Sequence, residues 1–85
     1  MKARKLKKDQ LVEVEWVDIV STADWLTEEK AMNYPATICK DVGYVAISDD
    51  KLLRISSSIQ TNDTERNVTV IPWSVIGKLR KIKEK

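Results

Sequence analysis

Histidine is absent from the 85 residues, and with it the commonest general base near neutral pH and the commonest metal ligand. A single cysteine, Cys39, leaves no intrachain disulfide and suits a reducing compartment. As a nucleophile Cys39 would need a base beside it, and none lies within sequence reach; a small buried hydrophobe in a strand is the simpler reading. The only glycines are Gly43 and Gly77, so there is no Gly-rich phosphate loop. No apolar run approaches the ~18 residues of a membrane-spanning helix. The basic start, Met1 to Lys8, leads into a stretch broken by Glu13, Glu15 and Asp18, so no secretory signal is expected. The triplets Asn62-Asp63-Thr64 and Asn67-Val68-Thr69 accordingly read as chance matches to a glycosylation site.

What remains is a short chain with segregated charge. Its length allows one domain that buries roughly 60% of its unfolded surface, with an expected stability of about 4–13 kcal/mol. Residues 1–8 carry a charge of +5 and residues 78–85 a charge of +4, so the intervening body must hold −7 to reach the net +2. Like-charged blocks are usually solvated, and a basic arm attracts polyanions. The expected division is a flexible basic arm over residues 1–9, a folded domain over 10–82 and a basic tail over 83–85.

Periodicity points to β structure. In Leu11 to Val20, Val12, Val14 and Trp16 alternate with Glu13 and Glu15, as in a half-buried strand. After Trp16 the parity changes, with Val17 and Ile19 apolar; a bulge or sharp bend is expected there. Ser21 to Asn33 does not alternate, and Asp24 is positioned to cap a short helix over Trp25–Met32. A second strand is expected over Thr37–Ser48, with Gly43 marking a bulge or a close backbone approach. Asp49-Asp50 supplies turn chemistry before a third strand over Leu52–Ser58. Ser58 to Asn67 reads as a long loop and Val68–Ile71 as a fourth strand. Pro72-Trp73-Ser74 suits a turn of 3₁₀-helix. Val75, Ile76, Leu79 and Ile82 fit a helix by spacing, but a fifth strand is favoured because the first needs a partner on its other edge. The fold class is mainly all-β: a five-stranded small barrel with a short helix between strands 1 and 2. Its expected core is Val12, Val14, Trp16, Val45, Ile47, Leu53, Ile55, Val68, Val70, Ile76 and Leu79.

Trp16-Val17-Asp18, then Trp25, then Val42-Gly43-Tyr44-Val45 with acidic residues following, then Ile71-Pro72 with Ile76 and Leu79, resembles a family of small phage-encoded proteins. Its pattern is a Trp-x-Asp strand, a second Trp, a Val-Gly-Trp/Tyr strand with an acidic turn, and a closing Ile-Pro-x-x-x-Ile segment. The likeness spans about residues 12–82; the segment Ala31–Pro35 and the basic arm depart from it. That family lacks a defined substrate, so the resemblance implies phage or prophage origin and little about chemistry; together with the single cysteine, the expected compartment is the host cytoplasm. The closing Ile-Pro corner also looks like the last turn of Src-homology-3-type and Sm-like barrels, a structural device with which function does not travel.

Catalysis, a cofactor and a metal are not expected: Asp49 and Asp50 read as a self-satisfying turn, and Asp63 and Glu65 lack a glycine-turned Ca²⁺ loop. The candidate contact residues are aromatic. Trp16 belongs to the strand pattern, whereas Trp25, Tyr34 and Trp73 fall in connections, where Trp and Tyr often anchor partners or shield a thin core. Candidate phosphate contacts are Lys2, Arg4, Lys5, Lys7, Lys8, Lys78, Arg80 and Lys81, which would give unspecific, tail-driven binding; no strand interleaves basic and aromatic residues as a stacking platform does. The expected role is a non-catalytic accessory protein acting by protein contact, through self-association or on a host factor. Tail-driven nucleic-acid binding and small-ligand or nucleotide capture by an oligomeric barrel are the alternatives.

Overall fold

The computed structural model describes residues 1–62 and 65–83. Five strands, β1 (Leu11–Asp18), β2 (Thr37–Val45), β3 (Leu52–Ser56), β4 (Thr69–Pro72) and β5 (Ile76–Lys81), form one antiparallel sheet in the order β4-β3-β2-β1-β5. The mainly-β character and the strand at residues 76–81 agree with the periodicity. The sheet is not closed into a barrel, since β4 and β5 are its two edges. Trp73–Val75 form the expected 3₁₀ turn, with Pro72 as the residue before it.

The one helix, α1 (Glu28–Met32), starts later than Asp24 implies. The Thr27 hydroxyl accepts from the Lys30 N–H at 3.2 Å, and Glu28 and Glu29 follow at the positive end of the helix dipole. Thr27 therefore takes the capping role, while the Asp24 N–H donates to Thr22 Oγ1.

Val12, Val14, Val45, Leu53, Ile55, Ile71, Trp73 and Ile76 make the core, with Leu6, Trp16, Val75 and Leu79 packed at its margin. Ile47, Val68 and Val70 are exposed instead. On β4 the reason is parity. Ile71 pairs with Leu53 and points inward, so Val70, opposite Arg54, points out. Of the two roles open to Trp73, partner contact or cover for a thin core, the fold gives it the second: it is 2% exposed. Its indole N–H donates to the Asp49 carbonyl at 2.9 Å, which satisfies the one polar group the ring brings inside.

Gly43 is the close approach that its place in a strand implied. A Cβ there would lie 2.7 Å from the Ser56 carbonyl oxygen and 3.2 Å from Ile55 Cβ. β2 and β3 pair only at Tyr44↔Ser56 and Val45↔Ile55, after which β3 peels away. The Asn67 Oδ1 accepts from the Ser57 and Ser58 N–H groups at 2.9 and 3.1 Å, and the Ser56 hydroxyl donates to the Asn67 carbonyl. The irregularity expected in β1 falls in β5: β1 opposes β2 in unbroken register, while Glu15↔Lys78 is followed by Trp16↔Ile76, leaving Gly77 as the extra residue.

Beyond Trp16 no third strand pairs with the β1–β2 ribbon among the described residues. Its free part and the connection Ile19–Ala36 project from the body, and the radius of gyration is 16.2 Å with a longest extent of 55 Å, against about 12 Å for a compact chain of this length. The basic arm lies on the body. Leu6 packs on the core, the Met1 amino group donates to the carbonyls of Trp73 and Ile76 at 3.0 and 3.1 Å, and Arg4 Nη1 donates to the Leu79 carbonyl at 3.3 Å.

The Asp49 turn satisfies itself as its composition implied, Oδ1 accepting from the N–H groups of Lys51 and Leu52 at 2.9 and 2.8 Å. The Lys51 N–H first, then the Leu52 N–H and the Arg54 guanidinium, hold the carboxyl below its ordinary 3.8. A depressed value in the folded state means the stabilisation is complete above 3.8 and is lost as pH falls through the lower folded value.

Three expected outcomes follow by thermal denaturation. Trp73→Ala costs about 3–5 kcal/mol, a large share of the whole. Gly43→Ala costs about 1–3 kcal/mol, because backbone and not a pliable side chain must move. The melting-temperature gap between the native protein and Asp49→Ala is widest at neutral pH and narrows once pH drops below 3.8; a gap that widens in acid would contradict the turn's electrostatics.

Candidate protein-contact site

The projecting ribbon and its connection carry many of the exposed apolar side chains, Val17, Ile19, Trp25, Met32, Ile38 and Val42 among them. Antiparallel pairing puts directly opposed residues on the same face. Val12, Val14, Trp16 and Asp18 share the inner face with Gly43, Asp41, Cys39 and Thr37; Glu13, Glu15 and Val17 share the outer face with Val42, Lys40 and Ile38. The change of parity after Trp16 thus marks where β1 leaves the core. Inside the body the apolar face is the inner one; beyond Trp16 the outer face is apolar, at Val17 and Ile38, while Val42 stands on that face opposite Glu13.

The root of the ribbon is fixed by Trp16. Its ring packs at the core margin and its indole N–H donates to Asp41 Oδ2 at 2.6 Å, diagonally across the two strands. Cys39, opposite Trp16, is half-buried on the same face, consistent with a small packing residue rather than a presented thiol.

At the far end Trp25 is 101% exposed, Ile19 92% and Met32 86%. Tyr34, between α1 and β2, is exposed as well. α1 buries none of its residues. Of the aromatics expected to make contact, Trp25 and Tyr34 stand on this projection and Trp73 does not. Sequence reasoning did not single out Ile19, Met32, Ile38 and Val42, which complete the apolar surface. The signal was there in the parity change at Val17 and in the lack of alternation over Ser21–Asn33.

The basic candidates do not form one patch. Lys2, Lys5, Lys7 and Lys8 are exposed along the arm, and Arg4 is engaged with Leu79. Lys78 and Arg80 oppose Glu15 and Glu13 across β1 and β5, with Arg80 Nη2 3.4 Å from Glu13 Oε2. Lys81 stands opposite Val12 and is exposed. A cleft of about 1000 Å³ lies between the Lys8–Asp9 turn and Ser57–Thr61 and is open to solvent. Two of its cations are tied down, Arg66 to Asp9 and Arg54 to Asp49 at 3.3 Å. Among the described residues no three His, Cys, Asp or Glu side chains gather as metal ligands. Asp63, paired in sequence reasoning with Glu65, lies outside the described residues. No helix among them is long and apolar enough to cross a membrane.

No family model, curated protein or solved structure matches this chain.

Because Trp25 touches little of its own chain, Trp25→Ala is expected to leave the melting temperature unchanged. Asp41→Ala removes the acceptor for the Trp16 indole and is expected to cost about 1–3 kcal/mol. Parallel melts of the two variants check the distinction.

Proposed function

We propose that the protein is a non-catalytic accessory binding protein of a phage, acting in the host cytoplasm through a contact between its projecting β1–β2 ribbon and another protein. One observation carries the reading: a tryptophan, the residue most enriched at interface anchors, is wholly exposed at the end of a projection that also leaves Ile19 and Met32 in solvent. A soluble chain rarely leaves so much large apolar surface together without a partner for it. The phage assignment rests on the resemblance of the Trp16-x-Asp18, Val42-Gly43-Tyr44 and Ile71-Pro72 segments. The strand order, with β5 set beside β1, is consistent with kinship to Sm-like or Src-homology-3-type barrels, which forms part of the same proposal.

A photo-reactive benzophenone amino acid at position 25, and in a second variant at the exposed body position Ser74, tests the reading in the expressing host. Discrete protein adducts at position 25 and none at 74 are expected. Trp25→Ala should weaken the recovered association by ≥2 kcal/mol, about 30-fold, with an unchanged melt. Equal labelling from both positions, or none from position 25, would remove the ribbon as the contact.

A further inference from the structure

Two edges of the sheet are guarded. On β4, the Trp73 N–H donates to the Lys51 carbonyl at 3.0 Å, so by alternation Ile71 and Thr69 face β3 and Pro72 and Val70 face outward; Pro72 has no N–H to offer a neighbour. On β5, the Ile82 N–H donates to the Leu11 carbonyl at 2.9 Å, so Leu79 and Lys81 face outward. There the Leu79 carbonyl is taken by Arg4, and Lys81 is an edge lysine of the kind that discourages pairing.

The free part of β2 is different. The Val45 N–H donates to the Gln10 carbonyl, and the Val45 carbonyl accepts from the Asp9 N–H, at 2.9 and 2.8 Å. Val45 therefore turns its backbone toward β1. The register is unbroken from Leu11↔Tyr44 to Asp18↔Thr37, so Gly43, Asp41, Cys39 and Thr37 face β1 too. Val42, Lys40 and Ile38 must turn their N–H and C=O groups the other way. β3 does not meet them, because its pairing stops at Tyr44↔Ser56. Among the described residues no hydrogen bond outside the ladders reaches these groups. The same three residues present an apolar, a cationic and an apolar side chain on the outer face, and among the described residues Lys40 makes no ion pair.

We propose that the Ile38–Val42 edge binds an extended segment of another protein by strand addition, the segment carrying an acidic residue between two apolar ones at alternate positions. The acid sits against Lys40 and the apolar residues against Ile38 and Val42, while the main chain completes the exposed ladder. A second copy of this chain is a poor occupant. Two-fold pairing that sets Ile38 against Val42 brings Lys40 onto Lys40, and directly opposed like charges repel. The inference rests on the protein-contact reading of the ribbon and specifies its mode.

Labelled heptapeptides test it by fluorescence anisotropy on the intact protein. Thr-Val-Thr-Glu-Thr-Val-Thr is expected to bind roughly tenfold tighter than its analogue with Lys at the centre, the range set by exchanging a favourable for an unfavourable cross-strand pair. Lys40→Glu should reverse that preference. N-methylation of the central Glu, whose N–H faces β2, should abolish binding, whereas N-methylation of a flanking Thr, whose N–H faces solvent, should spare it. No binding, equal affinity for both peptides, or equal sensitivity to the two methylations would overturn strand addition, as would a concentration-dependent dimer that excludes the peptide. Adducts from position 25 alongside failed peptide binding would leave the contact reading standing and remove only this mode. Peptide binding without those adducts would keep the Ile38–Val42 edge and remove the Trp25 end from the contact.

Discussion

The close approach of β2 to β3 at Gly43 governs the layout of the molecule. A side chain there would collide with the Ser56 backbone, so only glycine lets the two strands come so close and part so soon. On one side of that point, Val45, Leu53 and Ile55 join the core. On the other, β2 continues beside β1 alone, and the ribbon leaves the body. Asn67 holds the departing β3 in place by accepting from Ser57 and Ser58, so the separation is built into both strands. Trp16 then braces the ribbon at its root by donating to Asp41.

Charge that is segregated along the chain is interleaved in space. The glutamates of β1 stand between β5, bearing Lys78 and Arg80, and β2, bearing Lys40. Exposed pairs of this kind contribute little to stability, but they decide which surfaces remain charged. Near residue 80 the cations stand beside Glu13 and Glu15, while Lys2, Lys5, Lys7 and Lys8 are exposed on the arm. A reading built on charge blocks alone would treat both ends alike.

The strands of the body were legible wherever alternation was strong, as at Val12, Val14 and Trp16, and the turns wherever one residue type had a mechanism, as at Asp49 and Pro72. Trp73 was not, because a residue after proline in a connection looks exposed until a neighbouring turn, here Asp49 with its free carbonyl, comes to meet it. Val70 looks like the core residue of β4 and Ile71 is, since a four-residue strand is too short for its own pattern to set parity; β3 sets it. The lysines of the arm say nothing of Leu6, which packs at the core margin. For the contact site, the parity change after Trp16 was visible, but a bulge and an exit from the core leave the same trace in one sequence. Distinguishing them takes knowing that no third strand follows.

The neighbours of β1 also impose an order on assembly. β2 follows it closely in the chain, whereas β5 begins roughly sixty residues after β1 ends. Until β5 has been made and brought back, the strand that carries Val12 and Val14 is flanked on one side only. Its second hydrogen-bonding edge is open through most of synthesis, and closing it spends the entropy of a long loop. Such distant pairing makes folding slow for a chain of this size and lengthens the interval in which nascent copies can capture one another. Glu13 and Glu15, which lie along that open edge, give it a like charge in every copy and so keep the unfinished strands apart.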